Sequence, residues 1–250
     1  MQRIRREMFR YGQEDFDLDY LRWGFHDLQT QRNEAAAVLA MLGPAKPLKI
    51  LDVACGLGTH AVEFARAGHT VSGVDLSATF LERARQKATD AGVNVRWIHS
   101  DALALDADAQ FDAVVWIERS FFSLDAIRRL RRYLRPGGLL VLDERNPEHP
   151  RAMARGGDWR TWQEKDGRFL LERHEVDEQA RRVDCWIEID PSAGTITEKT
   201  STSPQTTLQE RIDLIRQAGL GAIELRTLSG EPFTGGVNDY WLWLLARRPQ

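Results

Sequence analysis

The chain has 250 residues, 42% of them hydrophobic, and a formal net charge of -3. That hydrophobic share supports a substantial core and excludes a disordered chain, and the length suits one large domain or a domain carrying an insertion. No overall positive field draws the chain to nucleic acid or an anionic membrane, and no apolar cluster approaches the length of a membrane span.

Taken in chain order, residues 1–46 read as polar and helical. Trp23, Phe25, Leu28, Ala36, Val38, Leu39 and Leu42 form a loose apolar stripe ending before Gly43-Pro44. Strand and helix patterns then alternate over residues 47–146. The expected strands are Lys49–Val53, Thr70–Val74, Asn94–His99, Phe111–Ile117 and Leu139–Leu142, and the expected helices Ala61–Ala67, Ala78–Ala91 and Leu124–Leu134. Such alternation implies an α/β fold with a doubly wound, mostly parallel sheet and ligands at the carboxyl ends of its strands. The run Arg128-Arg129-Leu130-Arg131-Arg132 fits the solvated face of one of these helices.

The pattern changes after residue 146. Trp159–Trp162, Phe169–Val176 and Val183–Ile189 alternate or are aromatic, and turn signals at Asp166-Gly167 and Pro191-Ser192-Ala193-Gly194 separate them, which predicts antiparallel strands. A Thr/Ser-rich tract follows from Thr195 to Thr207. A helix over Leu208–Ala218 closed by Gly219 and two last strands at Ile223–Leu228 and Tyr240–Ala246 complete the chain. Cys55 and Cys185 offer neither a disulfide framework nor zinc spacing, and the charged N-terminus lacks an apolar signal core, so a cytoplasmic protein without a metal is expected.

Four signals fall at successive strand ends. The first is Asp52 with Gly56 and Gly58, a strand, a tight turn and a helix start whose exposed N–H groups can meet a nucleotide-like ligand. The spacing G-x-G-x-x-A alone would fit an NAD site. A carboxylate at Asp52 would repel a pyrophosphate, however, and suits a cation, directly or through water. The second is Asp75, able to accept both hydroxyls of a ribose. The third is Asp101-Ala102-Leu103, placed for the exocyclic amine of an adenine. The fourth is the turn Arg135-Pro136-Gly137-Gly138.

In this order, the D-x-A-C-G-x-G form, Asp75, Asp101-Ala102 and the R-P-G-G turn resemble the class I S-adenosylmethionine-dependent methyltransferases, small-molecule branch. The resemblance covers residues 47–146 closely and the rest more loosely. It implies a Rossmann-like methyltransferase fold with a seven-stranded sheet, an N-terminal helical lid over 1–46 and a methyltransferase domain over 47–250 with a β cap inserted at about 155–205. The cofactor implied is S-adenosyl-L-methionine. It would be held by Asp52, Ala54, Gly56 and Gly58 at its methionine part and by Asp75 and Leu76 at the ribose. Asp101 and Ala102 would hold the adenine, and Trp116 and Ile117 would lie beside the sulfonium, where an aromatic face favours a cation.

The segment Trp116-Ile117-Glu118-Arg119-Ser120-Phe121-Phe122 lacks the N/D-P-P-Y/F motif of family members that methylate nucleic-acid amines, so the expected partner is a small-molecule acceptor rather than nucleic acid or membrane. A homodimer is compatible with the sequence. Glu118, at the mouth of the site, His174 and Tyr240 are the proton acceptors expected for catalysis, with His26 and His149 as further candidates. The implied reaction is methyl transfer to nitrogen, oxygen or carbon. The alternatives are a binding protein that senses the same cofactor without turnover, and an NAD-dependent oxidoreductase.

Overall fold

The computed structural model describes residues 3–8, 21, 23, 27–43, 46–108, 110–117, 123–146, 149, 160–178, 181–204, 206–236 and 238–250. Its first elements are β1 (Arg3–Met8), α1 (Leu28–Leu42), β2 (Lys49–Val53), α2 (Thr59–Arg66), β3 (Thr70–Asp75), α3 (Ala78–Asp90) and β4 (Val95–His99). A single 3-10 turn at Ala102–Ala104 precedes β5 (Phe111–Trp116), α4 (Leu124–Tyr133) and β6 (Leu134–Arg145). Then come β7 (Arg160–Lys165), β8 (Arg168–Val176), β9 (Arg181–Asp190), β10 (Thr195–Pro204), α5 (Leu208–Gln217), β11 (Gly221–Thr227) and β12 (Trp241–Arg247).

These elements divide into two units, one of residues 26–145, 208–235 and 241–250, the other of 1–25, 146–207 and 236–240. The first unit contains a seven-stranded sheet in the order β11-β12-β6-β5-β2-β3-β4. Strands β6, β5, β2, β3 and β4 run parallel, and β12 is antiparallel to both β6 and β11. The chain steps outward from β2 to β3 and β4 on one side and from β5 to β6 on the other. The carboxyl ends of β2 and β5 therefore flank the point where the winding reverses, the place where open α/β sheets bind ligands.

Period-2 alternation explains the packing. Leu51, Val53, Val114, Trp116, Leu140 and Leu142 face one side, where Ile127 and Leu130 of α4 and Ile215 of α5 cover them. The residues between them, Ile50, Ala113, Val115 and Val141, join Trp243 on the other side under Ala35 and Val38 of α1 and Ala61 and Phe64 of α2. Because both faces are covered, the central strands are buried almost throughout, as in other parallel sheets. Side-chain oxygens of Asp27, Ser77 and Ser123 cap the starts of α1, α3 and α4.

The second unit contains a five-stranded sheet, β1-β10-β9-β8-β7, antiparallel except for the β1–β10 pair. Lys165 and Arg168 pair across a two-residue loop in which Asp166 and Gly167 have φ of 54° and 72°. Positive φ at both positions is the hairpin geometry that Asp-Gly favours. Three expectations are corrected here. Residues 1–46 are not helical throughout, since Arg3–Met8 is a strand paired with β10. The Thr/Ser tract is largely the strand β10, and β6 begins at Leu134 rather than Leu139.

Candidate active site

The segment joining β2 to α2 turns through three left-handed residues, Ala54 (φ 52°), Gly56 (φ 50°) and Gly58 (φ 72°). Each glycine is required for a different reason. A Cβ on Gly58 would lie 2.5 Å from Cη2 of Trp97 and 2.7 Å from Cβ of Ala84, so packing as well as φ excludes a side chain. A Cβ on Gly56 would meet nothing within 4 Å. That side of the turn is open, and a side chain there would fill it. Trp97 of β4 also lies beneath Gly73, where a Cβ would be 2.6 Å from its ring.

The carboxylate of Asp75 locks the turn to the next strand end. Its Oδ2 accepts from the Gly56 N–H at 2.7 Å and its Oδ1 from the Ser77 N–H at 2.9 Å. Burial pushes its pKa up, and these bonds to the ionised form oppose the shift. Leu76 is 49% exposed, and Nε2 of His99 bonds its carbonyl at 2.9 Å. Asp101 is exposed, and its Oδ1 accepts from the Leu103 N–H at 2.8 Å, which opens the 3-10 turn. Tyr133 donates to the Ala102 carbonyl at 2.8 Å and Arg129 to that of Leu103 at 2.6 Å, so α4 holds the turn in place.

Asp52 is buried on the α1–α2 side of the sheet. The nearby Ala61 N–H favours its ionised form, while Oδ2 has no hydrogen-bond partner among the described residues. Burial raises its pKa to about 7 against the opposing charge of His60. Asp52 as a whole is 2% exposed, with Oδ2 fully enclosed. Trp116, 2% exposed, is packed into the apolar cluster under α4 and α5, so its ring presents no open face to a sulfonium. Ile117 is likewise buried, at 6% exposure.

Residues 50–138 match the family model described as a methyltransferase domain. This segment is a methyltransferase domain. The chain is also 29% identical over 213 residues to the cypemycin N-terminal methyltransferase of a Streptomyces species, across 80% of this chain and 84% of that protein. It is 37% identical over 116 residues to the ubiquinone biosynthesis O-methyltransferase of Roseobacter denitrificans. That second match covers 44% of this chain and 47% of the relative, so the chain spans about half the length of that protein. Among solved structures, the methyltransferase CcbJ of Streptomyces caelestis has a TM-score of 0.71 at 23% identity, covering 88% of this chain and 90% of CcbJ. CalS10 of Micromonospora echinaspora, an amino pentose methyltransferase solved with S-adenosylmethionine bound, has a TM-score of 0.60 at 22% identity, covering 97% of this chain and 99% of its own. At these identities the structural likeness establishes the Rossmann-like methyltransferase fold.

The methyltransferase domain gathers Asp52, Ala54, Gly56, Gly58, Asp75, Leu76, Asp101 and Ala102 at the carboxyl ends of neighbouring strands β2, β3 and β4. Glu118 and His26 lie outside the described residues. His174 is a backbone member of β8, opposite Asp184, in the second unit. Tyr240 belongs to that unit too and packs edge-on against His149 with ring centroids 5.1 Å apart. Sequence reading missed Trp97, Ser77, His60 and His99. Ser77 carried a usable signal, a serine before a helix, while the other three act through neighbours distant in sequence.

Proposed function

We propose that the protein transfers a methyl group from S-adenosylmethionine to a nitrogen, oxygen or carbon of a small-molecule acceptor. The observation that carries this reading is the coupling of Asp75 to Gly56, which fixes a ribose-binding carboxylate against an open, side-chain-free turn beside the switch point. The residues present fit the cofactor in three respects. The cradle at Gly56 would be filled by any Cβ, Asp75 is immobilised by two backbone donors, and the buried Asp52 supplies negative charge behind the turn where an ammonium would sit. Asp101, exposed at the opening of the 3-10 turn, has acceptor capacity for an adenine amine. When bound, the cofactor supplies an electrophilic methyl on a sulfonium. The chain's part is to align the acceptor with it, exclude water and take the acceptor's proton where there is one.

Glu118, two residues after β5, is the base in this reading. Glu118→Gln is expected to lower kcat about 100-fold while leaving S-adenosylhomocysteine affinity unchanged, checked by product assay and calorimetry. Acceptors resembling amino sugars and peptide amines are the first to screen, since the relatives include methyltransferases of those kinds. The reading includes a cytoplasmic location, which the two free, buried cysteines fit, and among the described residues no helix is long and apolar enough to cross a membrane.

Calorimetric titration with S-adenosylmethionine, S-adenosylhomocysteine and NAD tests the cofactor. Binding of the first two and not the third is expected. Binding of NAD alone would overturn the reading, and binding without turnover of any acceptor would favour a sensor.

A further inference from the structure

A hydrogen-bonded His–Glu contact joins α1 to the first turn of α2, next to the glycine turn. His60, in the first turn of α2, is 7% exposed, and its Nε2 lies 3.0 Å from Oε2 of Glu34 on α1. Strand alternation brings Asp52 to the same place. Leu51 and Val53 face α4 and α5, so Asp52 must face the side where α1 and α2 pack. The neighbours of this carboxylate are few. From α2 the charge of His60 and the Ala61 amide act on it, from β3 the like charge of Asp75, and its ladder partners are Gly73 on β3 and the apolar Val115 on β5. The thiol of Cys55 also lies within its field. His60 is thus the one opposing charge that acts on Asp52 among the described residues.

We propose that Glu34 and His60 are positioning residues for the cofactor, keeping Asp52 ionised in its dry site so that its field holds the ammonium end of S-adenosylmethionine. The inference rests on the cofactor reading above. Charges alternate along Glu34, His60 and Asp52, and an ammonium on the far side of the turn continues the series. A protonated His60 beside Glu34 offsets the cost of an ionised Asp52 on the same side of the sheet, whereas a neutral residue in its place leaves Asp75 as the charge acting on Asp52. Asp52 then keeps its proton at neutral pH and the site loses its field. The link also makes α1, outside the glycine motif, part of cofactor recognition.

The experiment measures S-adenosylhomocysteine affinity from pH 6 to 9 for the full chain and for His60→Asn, Glu34→Gln and Asp52→Asn. Affinity of the unsubstituted protein should strengthen as pH rises through about 7, where Asp52 ionises. For His60→Asn we expect a loss of up to about tenfold at neutral pH, largely recovered near pH 9, because a carboxyl that titrates later is ionised in a smaller fraction of molecules at neutral pH. Glu34→Gln should move the profile the same way by less, and Asp52→Asn should bind weakly with a flat profile. At saturating cofactor, kcat of the His60 and Glu34 variants should change little. A His60→Asn profile parallel to that of the unsubstituted protein, or an unchanged affinity, would overturn the proposal, since packing alone would then account for His60. If His60→Asn does not fold, the Glu34→Gln profile decides in the same way. Failure of the unsubstituted protein to bind S-adenosylhomocysteine at any pH would instead overturn the cofactor reading.

Discussion

Gly56 and Gly58 are two residues apart and share a left-handed backbone, yet their substitution should do different damage. Gly58→Ala places a methyl against Trp97 and Ala84 and is expected to cost about 3 kcal/mol of stability, read as a lower denaturation midpoint. Gly56→Ala meets no neighbour, so it should cost only about 1 kcal/mol through φ while weakening cofactor binding at least tenfold, checked by calorimetry on the folded variant. Asp52 adds a dependence on pH. Its folded value of about 7 lies above the 3.8 of an ordinary aspartate, so the native state keeps a proton that the unfolded chain has lost. The stability this lends is complete below about pH 4 and is lost as pH rises through 7. Asp52→Asn should therefore raise the melting temperature of the ligand-free protein at pH 8, by a free energy on the order of a few kcal/mol, and change it little at pH 4. Asp52, both glycines and Asp75 were legible in the sequence because strand, turn and helix start follow one another locally. Trp116, expected beside the sulfonium, is 2% exposed. Alternation sets its ring beside Val114 and Leu142 in the core, and an aromatic at a strand end reads the same whether it faces a ligand or a helix.

At the scale of elements, the parallel strands and their helices were read nearly as they occur, since apolar runs between helical patterns leave few alternatives. The departures lie where composition misleads. β1 reads Arg3-Ile4-Arg5-Arg6-Glu7-Met8, too charged to announce a strand, and it is ordered by pairing with β10. β10 reads as a polar tract, although its threonines favour a pleated surface. The Asp166-Gly167 turn was legible, because its chemistry is local. Gly167→Val forces a β-branched residue to φ 72° and should weaken the β7–β8 hairpin by about 1–2 kcal/mol. Cofactor affinity should stay unchanged, and amide exchange in β7 and β8 together with calorimetry would check both expectations. Arginines close several element ends. Arg131 donates to the Gly219 carbonyl at 3.0 Å, and Arg248 to that of Leu134 at 2.5 Å, so the residue just after the last strand secures the start of β6.

Over the whole molecule, the two units draw on interleaved segments, and the chain passes from one to the other after residues 25, 145, 207, 235 and 240. An expected boundary at residue 46 places α1 with the preceding segment, whereas its Ala35 and Val38 pack on the sheet. Segment membership of this kind depends on which apolar face finds a partner, and that information is not local. All the residues assigned to the cofactor lie in the first unit. Binding of S-adenosylhomocysteine should therefore slow amide exchange around residues 53–58, 75–77 and 99–104, with little change in β9, as measured by mass spectrometry.

The indole of Trp97 fits under Gly58 and Gly73 at once, so these positions cannot drift separately. A larger residue at either glycine is tolerated only after the ring has shrunk, and a shrunken ring leaves a void until something fills it. The order of substitutions then matters as much as their identity. A lineage that once loses this tryptophan gains room at Gly73, while Ala84 and a left-handed backbone still hold Gly58, and the ring's return is barred once Gly73 has been replaced.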